Sequence, residues 1–367
     1  MTASRIRQLH ETGVSIWLDD LSRALLEEGT LAEDISRHAL SGVTSNPTIF
    51  AAALRDGERY DAQLRDLLAA GVRDAPTLFF ALALRDVGDA ARLLRDTYIR
   101  SGARDGYVSF ECTPDVAHDA ESTVRQATEV WDWVDEPNLM IKVPGTDAGI
   151  VAIEELTAAG VNVNVTLLFT ASRYEQAGRA YQRGLARRAG AGEPIDGVRS
   201  VASVFVSRID AKVEDLVSDR SLGSAAIANA HAIYERAVAV FDGPGWDALR
   251  ERGATWQRPL WASTAPKSSR VPDVGYVEAL ALPDTIVTLP RTTFDAFADH
   301  GTARLARADE VSAQRAIARL ARHGVDLEAV GRELEAAGID AFSASYGEVL
   351  EQLDQRLHGT PDGAEAA

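Results

Sequence analysis

Lysine is rare in this chain, and its rarity singles out one side chain that could react covalently with a carbonyl compound. Of 38 basic residues only three are lysine, namely Lys142, Lys212 and Lys267, and arginine supplies the rest. Lys142 lies in an apolar stretch between Ile141 and Val143, where the loss of solvation disfavours a charged amine. An uncharged amine attacks a carbonyl carbon and an arginine does not, so Lys142 is a candidate Schiff-base residue. The alternative is a lysine at a strand end whose ammonium group extends to solvent.

Eight predicted strands alternate with predicted helices along the chain. Residue type and periodicity place the strands at 14–19, 42–44, 107–112, 138–145, 161–166, 200–207, 259–263 and 285–290. Such alternation is typical of a parallel (β/α)₈ TIM barrel, for which about 250 residues is usual, and the surplus here lies in extra helices. We therefore predict an α/β fold with one (β/α)₈ barrel domain over 1–357, additional helices, and a flexible tail at 358–367.

Alternation within the strands indicates which side chains face the barrel interior. In the stretch 161–166 three valines share one face, and Asn162, Asn164 and Thr166 share the other. In a parallel barrel the valines should face the surrounding helices, and the polar face points inward. The same parity turns further polar side chains inward near the C-terminal ends of their strands, namely Asp19, Glu111, Lys142 and Ser263. Barrel enzymes place their chemistry at that rim.

Composition argues against several other classes of function. A net charge of −17 argues against general affinity for nucleic acid or an anionic membrane, since both are polyanions. The single cysteine, Cys112, excludes an internal disulfide and a cysteine-cluster metal site, and the seven histidines show no metal-ligand spacing. No apolar stretch resembles a signal-peptide core or a membrane span, so we expect a cytoplasmic protein. No Gly-rich nucleotide motif is complete, and we expect neither a metal nor a cofactor.

Seven segments together resemble one enzyme family. They lie at 16–23, 42–50, 108–112, 141–147, 162–169, 204–210 and 260–264. On these segments the chain resembles the transaldolases, in the longer form common in actinobacteria. The segment at 42–50 is a family signature, and the segment at 141–147 contains the position of the family's Schiff-base lysine. The resemblance covers nearly the whole chain, from the first predicted strand to the last.

The resemblance implies a ping-pong transfer of a dihydroxyacetone unit between sugar phosphates. The donor would be sedoheptulose 7-phosphate or fructose 6-phosphate, and the acceptor glyceraldehyde 3-phosphate or erythrose 4-phosphate, within the non-oxidative pentose phosphate pathway. Lys142 matches the lysine that attacks the donor ketone, and the iminium formed there draws electrons from the carbon–carbon bond that breaks.

Three further residues would transfer protons if the resemblance holds. Asp19 matches the carboxylate that takes the proton from the C4 hydroxyl, and Asp20 ranks second because its parity is opposite. Glu111 and Thr166 match the pair that holds a water and moves protons while the carbinolamine forms and loses water. Purely structural roles are also compatible with these residue types. An aspartate pair after a strand commonly caps a helix, and an inward Glu111 could pair with a barrel arginine.

The resemblance also implies contacts to the sugar. Asn46, Asn164 and Ser203 match positions that hydrogen-bond the hydroxyls of the dihydroxyacetone unit, and Phe205 is expected to line the sugar pocket. Holding the covalent enamine fixed and shielded separates a transferase from an aldolase, which releases that unit. For Asn46 the alternative is a structural asparagine at a turn.

Cations are expected at the phosphate end of the substrate. Arg208 matches the family arginine that follows the sixth strand, and its planar fork suits two phosphate oxygens. Ser263 also matches. The chain departs from the shorter transaldolases at Ala265, where they carry an arginine, and we hypothesise that Lys267 replaces it. Lys212, by contrast, lies on a predicted helix beside Glu214 and Asp215 and is expected to form a surface ion pair.

Two other functions fit the same residues. One is a fructose-6-phosphate aldolase-like lyase, which would release dihydroxyacetone, and the other is a sugar-phosphate-binding barrel without turnover. We expect small sugar phosphates as partners and a monomer or homodimer as the assembly. The predicted helices at 309–357 either cap the rim or pad the outside of the barrel.

Overall fold

Eight parallel strands close into a barrel in chain order. The computed structural model describes residues 4–55, 57–217, 219, 222–267 and 271–359. The strands β1 to β8 are Ser15–Asp19, Gly42–Thr44, Tyr107–Glu111, Leu139–Pro144, Val163–Leu168, Ser200–Phe205, Arg258–Ala262 and Ile286–Leu289. The predicted (β/α)₈ barrel is therefore confirmed. Most of the tail predicted at 358–367 lies outside the described residues, and the assignment of 1–357 to one domain stays a prediction.

Sixteen α-helices are described in the same residues. Helices α1 to α16 are Arg5–Glu11, Arg23–Glu27, Thr30–Glu33, Pro47–Arg55, Glu58–Ala69, Ala75–Arg100, Ala120–Val134, Asp147–Ala159, Ala171–Gly190, Ser207–Leu216, Ala225–Val240, Pro244–Arg250, Gly275–Leu280, Arg291–His300, Glu310–Arg322 and Leu327–Gly359. A π-helical turn covers Asp34–His38, and a 3₁₀ turn covers Pro114–Val116. No helix of the described residues is both long and apolar enough to cross a membrane.

The segment between β1 and β2 is not one continuous helix. The helix α2 ends at Glu27, and Gly29 adopts a φ of 76°, which a glycine tolerates without a steric penalty. The chain then starts α3 at Thr30 and passes into the π-helical turn.

The fifth strand is displaced from its predicted span of 161–166. The amide of Val161 donates to Leu156 O at the end of α8, so β5 begins only at Val163 and runs on to Leu168. Its register with β6 shifts between Val165 and Leu168, and Leu167 has a φ of 56°. The irregularity lies at the C-terminal end of the strand, where bulges in barrels commonly redirect side chains.

The predicted side-chain parity holds in the core. Val163 and Val165 are fully buried in the main apolar core. Inside the barrel, the fully buried Trp17 ring lies so close to Gly42 of β2 that any side chain there would collide with it. Glycine at position 42 therefore lets a large ring fill the barrel beneath Asp19.

The C-terminal helices divide between the two expected locations. Helix α15 packs on α11 at the outside of the barrel. Helix α16 crosses the rim and contacts α4, α6, α10 and β5. Gly338 of α16 lies against Leu167, and Gly331 lies against Thr170, where a Cβ atom on either glycine would collide. Small residues at these two positions thus allow the helix to sit directly on the ends of the strands.

Candidate active site

A cavity of about 650 Å³ opens at the C-terminal ends of the strands. Eight of the predicted site residues line it, namely Asp19, Asn46, Lys142, Ser203, Phe205, Arg208, Ser263 and Lys267. The other three, Glu111, Asn164 and Thr166, are buried on the strands that flank β4. The register pairs Lys142 with Glu111 on one side and with Asn164 on the other.

Lys142 does not extend to solvent. Only 4% of its surface is exposed, and its Nζ lies 2.9 Å from Glu111 Oε2. The same Nζ donates a hydrogen bond of 2.9 Å to Ser45 O, from the turn after β2. The alternative of a strand-end lysine extending to water is therefore wrong. The amine is fixed between β3 and β2 and faces the cavity.

Glu111 is a buried carboxyl group whose ion-pair partner is that lysine rather than an arginine. Burial raises the pKa of Glu111, and the positive charge of Lys142 opposes the rise. No described residue hydrogen-bonds Glu111 Oε1, and Thr166 Oγ1 is likewise buried without a partner. Buried polar atoms of this kind commonly bind water or a ligand, so both atoms are free to do so here.

Asp19 is held by two threonines that were not predicted. Thr44 Oγ1 donates to Asp19 Oδ1 at 2.8 Å, and Thr288 Oγ1 lies 2.8 Å from Thr44 Oγ1. A hydroxyl has one proton, so when Thr44 donates to Asp19, Thr288 must donate to Thr44. Burial raises the pKa of Asp19, while Lys142 and the Thr44 hydrogen bond lower it. Both threonines lie at the C-terminal ends of their strands, a position that would have identified them in the sequence.

The alternative role of the aspartate pair as a helix cap is wrong. Ser22 caps α2 by accepting from Leu25 N at 3.2 Å. Asp20 lines the same cavity as Asp19 despite its opposite parity, and burial raises its pKa as well. Two carboxyl groups therefore face the cavity from the end of β1, and Asp19 is the one bonded to a barrel side chain.

The amide side chains have different surroundings. Asn164 donates to Ser109 Oγ at 3.0 Å and accepts from Ser203 Oγ at 2.7 Å, which fixes its orientation. Asn46 Oδ1 accepts from Ile49 N at 3.0 Å and so caps α4. The structural alternative for Asn46 is thus correct for its oxygen, while no described residue accepts from its Nδ2 at the cavity wall.

Two cations face the cavity without a carboxylate partner within 4 Å among the described residues. Arg208 Nε is buried without a hydrogen-bond partner, and the guanidinium carbon lies 5.2 Å from the centre of the Phe205 ring. Burial lowers the pKa of Arg208. Lys267 lies at the exposed mouth, where partial desolvation and the charge of Arg208 lower its pKa. Ser263 Oγ, 2.9 Å from Ser207 Oγ, lines the same side. An anion would relieve the repulsion between the two cations.

Sequence reasoning missed the residues that helices bring to the cavity. Phe342 comes from α16 and Tyr60 from α5, and both are buried. No strand parity or motif marks them, because their approach depends on how the helices pack on the rim. Within the described residues, no cluster of His, Cys, Asp and Glu side chains is arranged to hold a metal ion.

Comparison with known proteins gives consistent matches over almost the full length. A family model described as transaldolase/fructose-6-phosphate aldolase matches residues 16–353. The transaldolase of Frankia alni is 42% identical over 361 residues, 96% of this chain and 97% of that protein. Transaldolase 1 of Streptomyces coelicolor is 43% identical over 366 residues, 97% of this chain and 96% of the relative. The transaldolase of Thermobifida fusca is 42% identical over 363 residues, which are 96% of this chain and 98% of that protein.

Proposed function

This chain belongs to the transaldolase/fructose-6-phosphate aldolase family, and we propose that it is a transaldolase whose reacting amine is Lys142. The observation that carries the proposal is the buried Lys142 Nζ, 2.9 Å from Glu111 and open to a cavity that also contains Asp19 and two uncompensated cations. The substrates are sugar phosphates, and the reaction belongs to the non-oxidative pentose phosphate pathway. The cytoplasmic location and the monomeric or dimeric state stay predictions.

The first step joins the amine to the donor ketone. Lys142 loses a proton to Glu111, whose raised pKa makes it a better acceptor than an ordinary glutamate. The nitrogen then attacks the C2 carbonyl carbon, and the surplus proton on that nitrogen moves to the oxygen, which gives a neutral carbinolamine. Glu111 and Thr166, which have free buried oxygens, return a proton to the departing hydroxyl through a water that they bind. The protonated hydroxyl departs as a second water molecule and leaves the iminium on Lys142.

The second step breaks the bond between C3 and C4. Asp19 accepts the proton of the C4 hydroxyl, the electrons of the carbon–carbon bond move to the iminium nitrogen, and an aldose phosphate leaves. An enamine of dihydroxyacetone stays on Lys142. Because burial raises the pKa of Asp19, the acid it becomes can return the proton when the acceptor aldehyde binds.

Transfer requires that the enamine stay bound between the two half-reactions. Asn164 is fixed between Ser109 and Ser203, and Ser203 lines the cavity, so the pair presents an oriented Ser203 hydroxyl to the sugar with Asn164 directly behind it. The free Nδ2 of Asn46 supplies a donor from another side of the cavity. Phe205 and Phe342 add apolar walls that exclude water.

The phosphate group of either substrate binds at Arg208 and Lys267. Arg208 supplies a guanidinium nitrogen without a protein partner, and Lys267 supplies a second charge at the mouth. Ser263 adds a hydroxyl beside them. This arrangement supports the hypothesis that Lys267 takes over from the arginine that Ala265 replaces.

Borohydride reduction tests the proposal directly. The protein is incubated with fructose 6-phosphate, reduced, digested and analysed by mass spectrometry. We expect one adduct, of the mass of reduced dihydroxyacetone, on Lys142. The Lys142→Met variant should carry none, and Lys212→Met, which removes a lysine paired with Glu333 at 2.7 Å, should label normally. A wild-type protein without an adduct would instead be the sugar-phosphate-binding barrel.

The ratio of transfer to release separates the transaldolase from the lyase. Fructose 6-phosphate is supplied with and without erythrose 4-phosphate, and sedoheptulose 7-phosphate and free dihydroxyacetone are quantified. We expect transfer to exceed release by orders of magnitude when the acceptor is present. Release at an equal rate with and without the acceptor would favour the aldolase-like lyase.

A further inference from the structure

A second cavity lies at the opposite end of the barrel from the catalytic residues. It has a volume of about 480 Å³ and is reached from the N-terminal ends of β3, β4, β6 and β7. Tyr107 and Met140 form part of its inner surface. None of its lining residues belongs to the proposed catalytic machinery, so the two cavities are separate.

Aromatic rings form one wall of this second cavity. The Phe241 ring is 4.9 Å from the Trp246 ring and 6.1 Å from the Trp256 ring, both at steep angles. Tyr234 lines the cavity beside them and donates to Pro283 O at 3.1 Å. Rings fixed in this way offer flat and edge contacts to a planar apolar group.

Four arginines also line the cavity, and three of them have carboxylate partners. Arg104 pairs with Asp284, and Arg250 lies 2.7 Å from Asp247. Arg258 is also paired, in its case with Asp105 and Asp284 at 3.4 and 3.3 Å. These charges are therefore balanced within the protein.

Arg199 is the exception. Its Nε donates to Ala103 O at 3.1 Å, and its Nη1 donates to Asp196 O at 2.5 Å and Val198 O at 3.2 Å. These are neutral carbonyl oxygens, and no carboxylate of the described residues lies within 4 Å. No described residue accepts from Nη2. The guanidinium is thus oriented by three hydrogen bonds while its charge and one nitrogen stay free.

We propose that this second cavity binds a small ligand that joins a flat aromatic ring to an anionic group. The anion pairs with Arg199, whose charge is permanent and whose free nitrogen suits a phosphate or carboxylate oxygen. The ring packs on Trp246 and Phe241. The net charge of −17 repels anions from most of the protein surface. An uncompensated arginine beside fixed aromatic rings therefore favours a ligand that carries both a ring and an anionic group over neutral or purely anionic compounds.

Calorimetric titration with matched probes tests the site. 1-Naphthyl phosphate and 1-naphthoate carry the ring with different anions, 1-naphthyl methyl ether carries the ring alone, and inorganic phosphate carries the charge alone. We expect the two aromatic anions to bind at least tenfold more tightly than either half. If naphthyl phosphate and naphthoate bind equally well, Arg199 recognises the negative charge that both carry. If one binds more tightly, the site prefers that anionic group, phosphate or carboxylate.

Substitutions in each cavity test where the ligand binds. Val238 lines the cavity from α11 and is 46% exposed, so Val238→Trp fills the cavity without disturbing the core and should abolish binding. Arg199→Gln retains a donor for one carbonyl but removes the charge, and should weaken binding about tenfold. Lys267→Ala, in the cavity at the other end of the barrel, should leave binding of the aromatic anions unchanged. The proposal is overturned if no aromatic anion binds at millimolar concentration, or if Lys267→Ala weakens binding and Val238→Trp does not.

Discussion

Replacing Thr44 by valine should make the enzyme sensitive to acid. Thr44 donates to the carboxylate of Asp19 at 2.8 Å, and valine has the same shape without the hydroxyl. A hydrogen bond to a charged group contributes about 1.5 kcal/mol or more. The ionised form of Asp19 accepts this bond more strongly than the protonated form does, so losing the bond disfavours the ionised form. At about 1.4 kcal/mol per unit, the pKa of Asp19 should rise by about one unit above its already raised position.

The pH dependence of kcat/KM measures this shift. The proposed base, Asp19, can accept a proton only when ionised, so a higher pKa of Asp19 moves the acid limb of the profile to higher pH, by about one unit in Thr44→Val. Thr44→Ser retains the hydroxyl and should restore the limb. Thr288→Val removes the group that orients the Thr44 hydroxyl and should give a smaller shift in the same direction. An unmoved limb in Thr44→Val, with the protein folded, would show that Asp19 is not the base.

Three further changes test other parts of the site and fold. Lys267→Ala should raise KM for fructose 6-phosphate about fivefold with kcat unchanged, an effect that shrinks in high salt, while the control Lys212→Ala changes neither. Asp86→Asn leaves the buried Arg23 without its carboxylate partner and should lower the free energy of unfolding by about 3–5 kcal/mol, as measured by urea titration. A decrease below about 1 kcal/mol would contradict a tightly held ion pair. Gly338→Val should push α16 from Leu167 and raise KM, whereas the same change at the unobstructed Gly347 should not.

The barrel and the location of its polar side chains were predictable because both follow from short-range rules. Alternation of apolar and polar residues marks a strand and its inward face, and parallel strands bring their C-terminal ends to one rim. Lys142, Glu111 and Asp19 could therefore be placed together from their parity alone. The pairing of Glu111 with Lys142 was not foreseen, because it depends on the register of β3 against β4.

Other features depend on contacts between residues distant in sequence. The irregular end of β5 at Leu167 has no local signal, since leucine does not favour positive φ. Phe342 reaches the cavity only because α16 crosses the rim. The periodicity of the α16 sequence does not indicate which part of the barrel this helix covers. Gly338 is compatible with several structures, and its role becomes clear only beside Leu167. Tertiary packing decides such positions.

The helix that crosses the rim is also the last described element to leave the ribosome. All eight strands, and with them Lys142 and Asp19, precede residue 290 in the chain, whereas Gly338 and Phe342 follow it. During synthesis Lys142 thus emerges before the helix that covers the rim of the barrel. Helix α16 covers the rim, so a chain that ended before Leu327 would leave the cavity open to water. Under the proposed mechanism, we expect the sugar fragment on Lys142 of such a chain to be hydrolysed rather than transferred to a new aldehyde.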